Sequence, residues 1–155
     1  MNATTRTDAP AGLHGDWVAG EAMLLAWQHV HNAFVATAAL SLVEVEERSR
    51  RNRLALALLG DVVAGCSTAR PPATGSAAAT VIARVLPAHR GQGRGGQLYA
   101  HGLAEARRLG ARVIETCVLE SDPEVLRFAV RLGCVETTRY VLPGDSVPFI
   151  GLRLA

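Results

Sequence analysis

Residues 81–110 read VIARVLPAHRGQGRGGQLYAHGLAEARRLG: an apolar run from Val81 to Leu86, a turn rich in glycine and arginine from Pro87 to Gly96, then a helical pattern. The order is strand, basic glycine turn, helix. A helix begins with backbone N–H groups that lack an intrahelical partner and carries partial positive charge at that end, so anions bind there. The glycines let the backbone turn tightly and approach a ligand. Arg90 and Arg94 add two guanidinium groups to the same turn. The stretch reads as a cradle for a phosphate or pyrophosphate, because packing alone gives two arginines no use inside a glycine cluster. Beyond Gly96, the residues Leu98, Tyr99, Gly102, Leu103, Ala106 and Leu109 fall on one helical face, and Arg107, Arg108 and Gly110 form a C-terminal stop.

Spacing separates three phosphate-binding designs. A P-loop is absent, since no Lys-Ser or Lys-Thr follows the glycines. The dinucleotide fingerprint G-x-G-x-x-G is present at Gly91, Gly93 and Gly96, with Glu115 near the place of a ribose-binding acid. Against it, Pro87 to Arg90 separate the first glycine from the strand, and too little chain follows Glu115 for a repeated βαβ domain. The third design is R-x-x-G-x-G, formed by Arg90, Gly93 and Gly95.

Written out, VLPAHRGQGRGGQL resembles the acetyl-CoA-binding motif of the GCN5-related N-acetyltransferase (GNAT) family. The likeness continues through a strand at Arg112 to Leu119 and a helix ending Leu132-Gly133-Cys134, where the family usually shows Leu-Gly-Phe. It covers about residues 54 to 140. The resemblance implies an α/β (α+β) fold with a mixed, mostly antiparallel sheet flanked by helices on both faces. It also implies an acyltransferase using acetyl-CoA as donor, with Val85, Leu86, Arg90, Gly91, Gln92, Gly93, Arg94, Gly95 and Gly96 binding the cofactor.

Composition sets the bounds. At 155 residues, 49% hydrophobic and 19% charged, with a net charge of +2, the chain has the profile of one globular domain. No broad basic field points to nucleic acid. Cys66, Cys117 and Cys134 are odd in number, far apart and without a C-x-x-C pair, so they read as reduced core residues of a cytoplasmic protein. No metal site is suggested. Residues 1–14 read as a loose tail and 15–155 as the domain. Met23 to Val43 contains no Asp, Glu, Lys or Arg, but Gln28, His29, His31 and Asn32 make it a poor membrane span.

Met23, Trp27, Val30, Phe34 and Ala38 mark one face of a helix within Asp16 to Ala39, and Ser41-x-x-Glu44 has the form of a capping box opening a second helix. The family's usual first strand is not legible before this segment. Arg53 to Leu59 and Val62 to Ala69 read as a hairpin around Gly60-Asp61, and the Pro71 to Ser76 loop returns the chain to Ala78. Asp122-Pro123 opens a helix with Val125, Phe128, Ala129 and Leu132 inward. Val135 to Val141 and Val147 to Leu154 complete the sheet, the last strand being a candidate exposed edge for a homodimer.

Acyl transfer from a thioester to an amine depends mainly on position. The resemblance implies that a backbone N–H near Val85 polarises the carbonyl, which requires its strand to part from the one carrying Ile114. It also implies a strand carboxylate as base, but Ala77 to Val85 offers only Arg84, and a tyrosine acid on the last helix, where Ala129 stands. Tyr140 and Glu120 are the leading substitutes, ahead of Glu115, His29 and His31. The expected acceptor is a small-molecule or peptide amine. The alternative is a non-catalytic acetyl-CoA-binding domain acting with a partner, a reading suggested by the same two departures.

Overall fold

The computed structural model describes residues 13–154. Its elements are β1 (His14–Trp17), α1 (Glu21–Phe34), α2 (Leu42–Arg51), β2 (Arg53–Leu59), β3 (Val62–Arg70), β4 (Ala78–Val85), α3 (Arg94–Arg108), β5 (Val113–Leu119), α4 (Pro123–Arg131), β6 (Cys134–Tyr140) and β7 (Phe149–Leu154). One seven-stranded sheet forms in the order β1-β2-β3-β4-β5-β7-β6. Every pairing is antiparallel except β4 with β5.

Local chemistry explains the helix starts. The Ser41 hydroxyl accepts the Glu44 N–H at 3.2 Å, and a carboxylate oxygen of Asp122 accepts the Val125 N–H at 3.3 Å with Pro123 in the first turn. The segment from Met23 to Val43 is divided between α1, a short 3-10 turn at Ala36–Ala38 and the start of α2. Among the described residues, no helix is long and apolar enough to cross a membrane.

Strand alternation sends two sets of side chains to two layers. On one face Leu54, Leu56 and Cys66 pack under Trp27 and Val30 of α1 and Val45 of α2. On the other Ala79, Val81 and Val85 meet Tyr99, Ala106 and Leu98 of α3, while Val118, Ile150 and Leu152 meet Ala129 of α4. Gly102 sets the approach of α3 to β4, since a Cβ there would stand 2.5 Å from Val81 Cγ1. Helices on both faces of a mostly antiparallel sheet are the expected architecture.

Four expectations need correction. A first strand does exist: β1 pairs with β2 from His14↔Leu58 to Trp17↔Ala55. Its four residues, HGDW, carry too little alternation to announce a strand. Of the tail expected at 1–14, residues 1–12 lie outside the described residues, and His14 already belongs to β1. The first helix starts at Glu21 rather than near Asp16, and α3 starts at Arg94, inside the glycine turn. Finally, the last strand is not an edge. β7 lies between β5 and β6, which leaves β6 as the outer strand. An edge-to-edge dimer through Phe149 to Leu154 is therefore excluded.

Candidate active site

β4 and β5 begin side by side and then separate. Their pairing covers Ala78↔Val113, Ala79↔Ile114 and Thr80↔Glu115 and goes no further. Toward Val85, the edge of β4 that faces β5 is consequently open. Which groups face the opening follows from the other edge. Leu86 N–H donates to the Ala64 carbonyl at 2.8 Å, so the preceding pair, Gly65↔Val85, is a non-hydrogen-bonded one. The N–H and C=O of Val85 both point into the gap.

The Val85 carbonyl is taken by Arg90, whose Nε donates to it at 2.8 Å. The same guanidinium lies 3.4 Å from Glu124 and 3.6 Å from Asp122, and over the Phe34 ring at 5.4 Å. Arg90 thus ties the turn to β4 and to the first turn of α4. Its charge is already matched by two carboxylates. The Val85 N–H, by contrast, has no acceptor among the described residues.

The turn itself climbs through Gly91 (φ +84°) and Gly93 (φ +74°), conformations that a side chain would oppose. Gly93 caps α3, and the first helical bond runs from Gln97 N–H to the Gly93 carbonyl. No side chain caps this end, so the amides of Arg94, Gly95 and Gly96 lack acceptors among the described residues. They border a groove of about 480 Å³ between the turn and α4, lined by Val85, Gly93, Arg94, Gly95, Phe128 and Arg131 among others. Arg94 is steadied by donating to the His89 carbonyl at 3.2 Å.

The structure brings only part of the expected cofactor set to this groove. Val85, Arg90, Gly91, Gly93, Arg94 and Gly95 line it; Gln92 is exposed and does not, and Leu86 packs into the layer under α1. Gly96 stands one residue deeper in α3 and is absent from the lining. Phe128 was read from sequence as an inward core residue and not as part of a site, and Arg131 was not singled out. Phe128 belongs to the inward face of α4 and approaches to 3.4 Å of where a Gly95 Cβ would stand, whereas Arg131 is exposed at the end of that helix.

On the α1 side of the gap lies a cleft of about 40 Å³ lined by Phe34, Ile82, Arg84, Cys117, Asp122 and Val125 among others. Burial pushes the Cys117 thiol up, so it stays protonated. Tyr140 reaches the same thiol from β6 and stacks on Phe149 at 5.6 Å. Burial, and after it the Cys117 thiol, raises the Tyr140 pKa, so this phenol keeps its proton at neutral pH. Glu120 is not brought here; it is 46% exposed and lies 3.5 Å from Arg139. Glu115 is committed to Arg153 at 2.8 Å. His29 is exposed beside an open hollow with Gln28 and Asn32.

His31 differs from His29. It is 5% exposed, stacked on Trp27 at 5.1 Å, and burial lowers its pKa to about 4. Its tautomer can be derived. Asn32 Oδ1 accepts the Leu40 N–H at 2.9 Å while Asn32 Nδ2 donates to the Leu40 carbonyl at 3.0 Å, which fixes the amide. The 3.1 Å contact between that oxygen and His31 Nδ1 therefore requires the proton on Nδ1. Nε2 is left as an acceptor, and the charges of Arg84 and Arg48 oppose its protonation further.

The sequence matches the model of the acetyltransferase (GNAT) family over residues 15–134. A comparison with curated protein sequences finds no match. Among solved structures, the chain is similar to a GCN5-related N-acetyltransferase from Kribbella flavida, at 21% identity and a TM-score of 0.71, covering 94% of this chain and 98% of that one. A ribosomal-protein-alanine N-acetyltransferase from Brucella melitensis gives 19% identity and a TM-score of 0.72 over 90% and 98%. An acetyltransferase from Bacillus subtilis, solved with CoA, gives 18% and 0.69 over 92% and 98%. At these identities the structural likeness establishes the fold.

Proposed function

The chain belongs to the GNAT family of acetyltransferases, and we propose that it transfers an acetyl group from acetyl-CoA to an amine by direct attack. The observation that carries this reading is the parting of β4 from β5, which leaves the Val85 N–H free at the end of a groove bordered by the unpartnered amides of α3. Acetyl-CoA supplies a thioester: the amine nitrogen forms the C–N bond, the C–S bond breaks, and the proton lost by nitrogen passes to sulfur or solvent. The amides at the start of α3, with Arg94, hold the pyrophosphate. The Val85 N–H donates to the thioester oxygen as negative charge develops there. Phe128 walls the groove, and Arg90 keeps the Val85 peptide oriented. Tyr140, protonated and reaching Cys117 of β5 from the outer strand, is the group we assign to protonate the leaving sulfur. Glu120, held by Arg139, has no part in this assignment.

A second reading, binding without turnover beside a partner, is favoured by two residues: Ala129 where the resemblance implies a tyrosine acid, and Arg84 as the lone ionisable group of β4. Titration calorimetry with acetyl-CoA, with NAD as control, followed by thiol release in the presence of amines, separates the readings. Binding with amine-dependent thiol release is the expected result. Binding without release selects the second reading, and a response to NAD alone removes both.

A further inference from the structure

Arg48, Arg70 and Arg84 lie on one side of the sheet without counterions, Arg70 at the exposed end of β3. In the β3–β4 register Arg84 stands opposite Cys66 and Arg70 opposite Thr80, so both side chains share the face that α1 and α2 partly cover. Arg48, on α2, is near enough to feel both charges; its pKa is lowered first by burial and then by the charges of Arg70, Arg51 and Arg84. Among the described residues, none of Arg48, Arg70 and Arg84 has a carboxylate within 4 Å. Arg53, Arg90 and Arg153 differ: Arg53 has Glu105, Arg90 has Asp122 and Glu124, and Arg153 has Glu115. Glu44, one turn before Arg48, is exposed and is the weakest of the influences on that arginine.

Three like charges held on one face repel one another unless an anion joins them. Arg84 lines the cleft on the acceptor side of the β4–β5 gap and directly precedes Val85. The Arg84 side chain starts one residue before the Val85 amide and enters this cleft, so a small acceptor whose amine attacks at Val85 has a guanidinium nearby to receive a carboxylate. We propose that the acceptor is a carboxylate-bearing amine, a free amino acid, whose carboxylate is bound by Arg84, with Arg48 and Arg70 adding positive charge to the same face. A guanidinium fork matches a carboxylate in two parallel hydrogen bonds. This inference rests on the acetyl-transfer reading above.

The test is thiol release from acetyl-CoA with a set of L-amino acids, each paired with its carboxamide. The free acids are expected to show kcat/KM about 10- to 100-fold above the amides. Arg84→Ala should bring that ratio toward one, and Arg84→Lys should keep part of it. Equal rates for acid and amide in the native protein, or a preference that survives both Arg84→Ala and Arg70→Ala, overturns the inference while acetyl transfer stands. Where nothing in the set turns over, calorimetry of N-acetyl amino acids with the CoA-loaded protein decides. Binding that Arg84→Ala abolishes upholds the carboxylate site, and no binding overturns it. Failure of acetyl-CoA itself to bind is a different result and removes the acetyl-transfer reading.

Discussion

The amide of Asn32, gripped at both ends by Leu40, gives the imidazole of His31 a single tautomer, and burial against Trp27 keeps it neutral. The consequence for stability has a definite sign. The unfolded chain takes up a proton at His31 below about pH 6.5, whereas the folded one resists until about 4, so stability falls as pH drops through that window. Relative to His31→Gln, the native protein should lose about 2 to 3 kcal/mol between pH 7 and pH 4.5 in urea unfolding. Parallel pH profiles for the two proteins would show that His31 titrates normally. Arg90 makes a second case. Sequence pointed it at a phosphate, but its guanidinium is spent on the Val85 carbonyl and on Asp122 and Glu124. Arg90→Ala should therefore destabilise the fold by about 1 to 3 kcal/mol through a lost charge-assisted bond. A urea midpoint equal to that of the native protein would contradict this.

At the level of elements, the first turn of α3 separates binding from stability. An aspartate in place of Gly95 adds negative charge at a helix N-terminus and removes a flexible residue, which favours the helix by about 0.3 to 1 kcal/mol. The same carboxylate stands where we propose the pyrophosphate binds. Gly95→Asp is expected to keep or raise the melting temperature while lowering acetyl-CoA affinity by about a hundredfold; retained affinity would remove the phosphate assignment. Most elements were legible because their punctuation is local: Ser41 with Glu44, Asp122 with Pro123, Gly60 between two apolar runs. β1 escaped because HGDW pairs through its backbone and carries little pattern. The glycine turn was legible for the same local reason. The arginine cluster was not, since the register that sets Arg70 and Arg84 on one face appears nowhere in the linear chain.

Taken whole, the sheet is two halves joined by three residue pairs, Ala78↔Val113 to Thr80↔Glu115. Beyond them, alternate amides of β4 meet different surroundings: Ile82 and Arg84 face β3, while Ala83 and Val85 face the gap. Hydrogen exchange should accordingly be faster at Ala83 and Val85 than at Ile82 and Arg84, with acetyl-CoA slowing Val85 in particular. Uniform protection along β4 would mean that the gap is closed in solution. Strand order has a further consequence, for the chain as it leaves the ribosome. The β1–β4 half can assemble as soon as residue 85 has emerged. β5 then keeps a naked edge until β7 arrives, and β6, although made earlier, has no neighbour but β7. The last six-residue strand is thus a keystone for two others. During synthesis, β5 is the place where chaperones or unwanted edge pairing would meet this protein first.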